Sequence, residues 1–160
     1  MTTTGSLELR TIPLDKLPWS LMHEADPERA HIEEYIQDAS RLGAYAGDSV
    51  VGIAIVGLTE PGIAELHAIA AERAYRRQGV GRWLLINARE EAIRLGAQTL
   101  RVATGNSSLE QLRFYQRSGF RMMRIDRGYF DHAFAEPLVE DGIRCRDRVW
   151  LDMPLPKAKS

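Results

Sequence analysis

The chain has 160 residues, of which 21 are Lys or Arg and 22 are Asp or Glu, giving a formal net charge of one negative unit. Such a balance offers no sequence-independent attraction to nucleic acid, and no apolar run approaches the roughly 20 residues that a bilayer crossing needs. The length suits one domain over residues 1–160, with flexible ends at 1–6 and 155–160. The lone Cys145 excludes an intrachain disulfide framework and residues 1–10 hold no apolar signal core, so a cytoplasmic protein is expected.

Residues 7–12 alternate as a first strand, after which Pro13 and Pro18 punctuate the chain. Residues 19–24 and 28–41 read as two helices split at Asp26-Pro27. Within this stretch Glu24, Asp26, Glu28, Glu33, Glu34 and Asp38 face only Arg29, which is the main charge asymmetry of the sequence. Residues 43–46, the Gly47-Asp48 turn and residues 49–58 form a hairpin pattern rich in β-branched side chains. A strand over 63–71 then leads through a glycine loop into a helix over 80–95, with Gly96 as its C-cap. Residues 99–103 read as a buried strand, and Ser107 with Glu110 suggests a capping box for a helix running to about Ser118. Residues 121–125 and 149–153 supply the last strands. Between them the unusually long connection 130–142 suits a pocket cover or a dimer contact. Helices alternating with strands at these lengths imply an α/β chain, a mixed sheet with helices on both faces.

The chemistry concentrates in Arg76-Arg77-Gln78-Gly79-Val80-Gly81-Arg82, which lies between a strand and a helix. The first N–H groups of a helix have no intrahelical partner, and the helix dipole favours an anion there. Gly79 and Gly81 allow close approach of the backbone to a phosphate. A P-loop is excluded because no Lys-Ser or Lys-Thr follows Gly81, and the dinucleotide fingerprint fails because Leu84 stands where its third glycine belongs. The remaining pattern, Arg76-x-x-Gly79-x-Gly81, resembles the Q/R-x-x-G-x-G/A signature of the general N-acetyltransferase (GNAT) superfamily. The downstream block from Asn106-Ser107-Ser108 through Phe114-Tyr115 to Gly119-Phe120 resembles that family's second conserved segment. Thr104-Gly105-Asn106-Ser107-Ser108, Ile125-Asp126-Arg127 and Gly142-Ile143-Arg144-Cys145-Arg146-Asp147 are similar to a bacterial, YvbK-like subgroup.

The resemblance implies a splayed central sheet flanked by helices, with acetyl-CoA as co-substrate and no metal. It assigns the diphosphate to backbone groups of Arg77, Gly79, Val80, Gly81 and Arg82, with Arg76 in the signature. The pantetheine arm falls to the backbone of Ile69 and Ala71 and to Asn106, and the departing sulfur to Tyr115. Ala70 and Ala71 are smaller than the residues common at that strand end.

Acetylation needs a neutral amine, and a lysine-like amine of pKa about 10.4 costs roughly 4.6 kcal/mol to neutralise at pH 7. Glu65, where many members of the family carry a glutamate, is the first candidate base; His67 lies two residues on and shares its face in a regular strand. The function expected is transfer of an acetyl group to a primary amine by direct attack in a ternary complex. The acceptor expected is a cationic small molecule drawn by the acidic residues between Glu24 and Glu34. A protein or peptide acetyltransferase and a non-catalytic acyl-CoA-binding module are the alternatives, and a homodimer is allowed.

Overall fold

The structure, a computed structural model, describes residues 6–158. The chain divides into two compact units, one running to Leu100 and returning from Leu155, the other spanning Arg101–Pro154. The flexible ends expected at 1–6 and 155–160 lie partly outside the described residues. Leu155, however, is buried and its N–H donates to the Gln98 carbonyl at 2.8 Å, so the chain is still held there.

The first unit is built on an antiparallel meander of β1 (Glu8–Thr11), β2 (Ser40–Ala46), β3 (Ser49–Glu60) and β4 (Ile63–Ala71), adjacent in that order. Residues 51–57 of β3 are all buried, because both faces of the meander are covered. On one face Ile53 and Ile55 join Leu21 and Met22 of α1 (Trp19–Ala25) and Ile32 and Tyr35 of α2 (Arg29–Tyr35) in a single core. On the other lies α3 (Val80–Arg94), whose buried Val80, Leu84, Leu85, Ala88 and Ala92 recur at helical spacing. Each fully buried Val or Leu contributes about 1.5–3 kcal/mol. Gly52 lets α3 come close: a Cβ there would stand 2.8 Å from the Leu84 side chain. Gly96 (φ 89°) closes α3, with Ala97 N–H donating back to Ala92 O at 3.0 Å.

The helix expected over 28–41 ends at Tyr35, and the strand expected from 43 begins at Ser40. Pairing with β3 overrides helical propensity here, placing Ser40 opposite Val56 and Arg41 opposite Ile55. Arg41 then serves the helix from the strand: its Nη1 donates to the carbonyls of Ile36 and Gln37, and its Nε to that of Ile12.

The second unit takes in most of β5 (Thr99–Gly105), with α4 (Leu109–Arg117), β6 (Arg121–Asp126), the short β7 (Val139–Glu140) and β8 (Ile143–Arg144), and β9 (Arg148–Pro154). Its larger strands lie in the order β5-β9-β6, and β7 pairs with β8. The capping box expected of Ser107 and Glu110 does not form. The α4 N-cap is Ser108 without a side-chain cap bond, and the Ser107 hydroxyl instead donates to Glu140 Oε1 at 2.8 Å. The connection after β6 is pinned rather than loose: Gly128 N–H donates to Asp147 Oδ1, Phe130 N–H to Arg146 O, and Cys145 N–H to Leu138 O, each at 2.8 Å.

Asp126 ends β6 directly opposite Arg148 and accepts from Arg148 Nη2 (2.7 Å), Arg148 Nε (3.0 Å) and Trp150 Nε1 (2.9 Å). The Trp150 hydrogen bond, then that of Arg148, hold its carboxyl below the usual range. A carboxyl with a depressed folded-state pKa stabilises above its unfolded pKa, and that contribution is lost as pH falls through the folded value. Asp126→Asn is therefore expected to be less stable than the parent at pH 7. The difference, read by urea unfolding, should shrink as the pH drops below about 4. A gap independent of pH would remove the carboxylate as its origin.

Candidate functional site

β4 carries an irregularity at the point where chemistry is expected. Leu66 is paired with Val56 and Ala68 with Ile55, so His67 is an extra residue between consecutive positions of β3. Glu65 lies opposite Gly57, which presents no side chain. On the face covered by α1 and α2, His67 Nδ1 comes 2.6 Å from Glu65 Oε2, with side-chain exposures of 11% and 20%. A carboxylate only accepts, so its place beside Nδ1 favours the tautomer with the proton on Nδ1, in which Nε2 presents its lone pair. Nε2 has no partner among the described residues.

The imidazole is held on a second side by a residue that the sequence did not single out. Tyr35 of α2 stacks on His67 with centroids 4.3 Å apart and planes 4° apart. Such aromatic pairs contribute about 0.5–1.5 kcal/mol beyond their burial. The Tyr35 hydroxyl donates to Asp26 Oδ2 at 3.3 Å, and the same oxygen lies 2.5 Å from His31 Nδ1. Asp26 Oδ1 accepts from the Glu28 N–H, joining the end of α1 to the start of α2. Burial, then the Asp26 carboxylate and to a lesser degree that of Glu65, push the Tyr35 phenol well above its ordinary pKa, so it stays a donor.

At the far end of β4 the chain passes through one 3-10 turn, Arg73–Tyr75, into the glycine loop. Gly79 is the N-cap of α3 in the left-handed region (φ 84°), and no side chain caps the helix. Arg77 also has positive φ, 63°. The opening N–H groups of α3, at Val80, Gly81 and Arg82, therefore lack intrahelical partners and converge at the positive end of the dipole. This cradle fits a diphosphate. The Arg76 side chain is engaged elsewhere, its Nε donating to Ala71 O at 3.2 Å and its Nη2 to Glu24 Oε2 at 2.6 Å. Ile69 and Ala71 lie on β4 opposite Ala54 and Gly52.

In the second unit Tyr115 is 4% exposed on α4, edge-on to Phe120 at 5.5 Å. Burial raises its phenol pKa, and its hydroxyl makes no hydrogen bond among the described residues. Asn106 is neither free nor a helix cap: Oδ1 accepts from the N–H groups of Arg146 (2.8 Å) and Asp147 (2.9 Å), and Nδ2 donates to Arg144 O at 3.0 Å. Its amide clips the approach to β9, leaving one N–H for any ligand.

Half of the acidic stretch is engaged. Glu24 pairs with Arg76, Glu33 with Arg29 at 3.2 Å, and Asp26 is buried against His31 and Tyr35. Glu28, Glu34 and Asp38 carry the charge that stays without an ionic partner among the described residues. No cluster of three or more His, Cys, Asp or Glu suited to a metal ion occurs among those residues.

Comparison with known proteins identifies the family. Residues 7–120 match the acetyltransferase (GNAT) family. The chain is 37% identical over 137 residues to an uncharacterized N-acetyltransferase, YvbK, of Bacillus subtilis (strain 168), covering 84% of this chain and 88% of that protein. An IAA acetyltransferase from Bacillus cereus ATCC 14579 superposes with a TM-score of 0.87 at 39% identity, over 94% of this chain and 100% of that one. A GNAT family acetyltransferase from Elizabethkingia anophelis, solved with acetyl-CoA bound, gives 0.88 at 28% identity over 94% and 99%. The chain belongs to the GNAT family of N-acetyltransferases.

Proposed function

We propose that this enzyme moves an acetyl group from acetyl-CoA to the primary amine of a small molecule by direct attack within a ternary complex, and that His67 is the general base. The observation that carries the reading is the 2.6 Å contact between His67 Nδ1 and Glu65, which leaves Nε2 as the open acceptor. The amine nitrogen bonds to the thioester carbon as its proton passes to Nε2, Glu65 offsets the charge that develops on the ring, and the C–S bond breaks to release CoA as the thiolate. Glu65, the first candidate from sequence, thereby becomes the orienting carboxylate.

Acetyl-CoA supplies the acetyl group as a thioester. Its diphosphate is assigned to the N–H groups at Gly79, Val80, Gly81 and Arg82, beside the positive-φ backbone of Arg77. Ile69 and Ala71 would pair with the pantetheine amides through their backbones, with the Ala71 carbonyl shared with Arg76. Asn106 contributes its remaining N–H. Tyr115 keeps its proton because burial raises its pKa, so its part is that of a hydrogen-bond donor. Glu28 and Glu34 supply the attraction for a cationic acceptor, a smaller field than the sequence suggested. A buried lone thiol, Cys145, suits a cytoplasmic enzyme.

Thiol release from acetyl-CoA, measured against polyamines, aminoglycosides, amino acids and short peptides, tests the reading. Release should depend on one class of small amine. His67→Ala should lower kcat by about 100-fold, within the range for loss of a general base. Glu65→Gln and Tyr115→Phe should each lower it by about tenfold. Preference for the peptides would overturn the small-molecule assignment, and release indifferent to every amine would overturn transfer itself.

The cradle has its own test in Gly79→Ala. Holding alanine in the left-handed region costs about 1–2 kcal/mol, which relaxation would relieve by closing or tilting the loop. The KM for acetyl-CoA should rise by about tenfold with kcat held within twofold. A lower kcat at unchanged KM would place the loop elsewhere in the reaction.

A further inference from the structure

We propose that Tyr35, anchored through its hydroxyl on Asp26, is the positioning residue that sets the plane of the His67 imidazole for proton transfer; this rests on the reading of His67 as the base. The ring can turn about its Cβ–Cγ bond, and the 2.6 Å contact between Nδ1 and Glu65 restrains it at one atom only. The stacked phenol removes that freedom, because at 4.3 Å and 4° its face covers one whole side of the imidazole. The phenol in turn is fixed at both ends. Its ring lies in the core of α1, α2 and the meander, 8% exposed, and its hydroxyl donates to Asp26 Oδ2. Asp26 cannot swing away, since its oxygens also hold His31 Nδ1 and the Glu28 N–H. The corner between α1 and α2 therefore determines where Nε2 points, without touching the reacting atoms. The ring is the larger contributor because it makes the contact, and the hydroxyl only holds the ring.

Three variants separate these parts. Tyr35→Met fills most of the volume with a flexible side chain and deletes the stack. It is expected to lower kcat about tenfold while the KM for acetyl-CoA stays within twofold. Tyr35→Phe keeps the stack and should recover activity to within threefold of the parent. Asp26→Asn keeps the Tyr35 ring in the core and loosens its anchor, so a comparable threefold loss is expected; it carries the test if Tyr35→Met does not fold. Nitrogen-15 spectra of the His67 ring at neutral charge, assigned with His67→Ala, should show the Nδ1–H tautomer alone in the parent and in Tyr35→Phe. Tyr35→Met should show averaging between tautomers. Parental kcat in Tyr35→Met or Asp26→Asn beside an impaired His67→Ala would overturn the proposal. So would a fall in kcat with an unchanged tautomer, which marks a packing role only. Parental kcat in His67→Ala would instead overturn the base reading, and this inference with it.

Discussion

The extra residue in β4 at His67 is the constraint on which the candidate chemistry depends. In a regular strand side chains alternate, so a face that receives Glu65 and His67 would not receive Ala68 and Ala70. The bulge resets the alternation. Ala68 and Ala70 then join the core under α1 and α2, on the same side as the Glu65 and His67 pair, while Leu66 remains opposite Val56. Two small side chains beside the polar pair let α1 come down onto the strand. The polar pair therefore sits half-buried under a helical roof, 2.6 Å apart.

The same strand ties this pair to the ligand cradle by rigid construction. β4 continues from Glu65 to its end at Ala71, and only one 3-10 turn separates that end from the glycine loop. The loop is fixed from the other direction by α3, whose first and second turns are seated on Gly52 through Val80 and Leu84. A cradle built of backbone groups has no side chain to adjust it, so its precision comes from that seating.

What was legible in the sequence was local. The run from Ile63 to Arg94 reads as strand, loop and helix because each part carries its own period or punctuation, and its bounds in the structure agree closely. The two GNAT-like segments were legible for the same reason, as short patterns. The end of α2 was not, because nothing before Ser40 marks a stop; the helix yields to a β3 partner distant in sequence. Ser107 has the spacing of a capping box with Glu110, yet Glu140 supplies a better acceptor across the fold. Tyr35 looks like any apolar residue of an amphipathic helix, and its meaning lies in His67, a strand away. The acidic stretch misled in one respect: counting charges in a line cannot reveal that Arg76 reaches Glu24.

That last contact narrows what residue 76 can be. A guanidinium is a flat fork, and Arg76 spends one prong on a strand-end carbonyl and another on a helix carboxylate. A lysine offers a single ammonium point and could not reproduce this divergent reach; a glutamine could serve the carbonyl but brings no charge to Glu24. Among the amino acids that the family signature tolerates at this position, arginine alone splices the first helix to the end of β4. The choice of arginine here thus reads as an architectural commitment of this chain, made through Ala71 and Glu24.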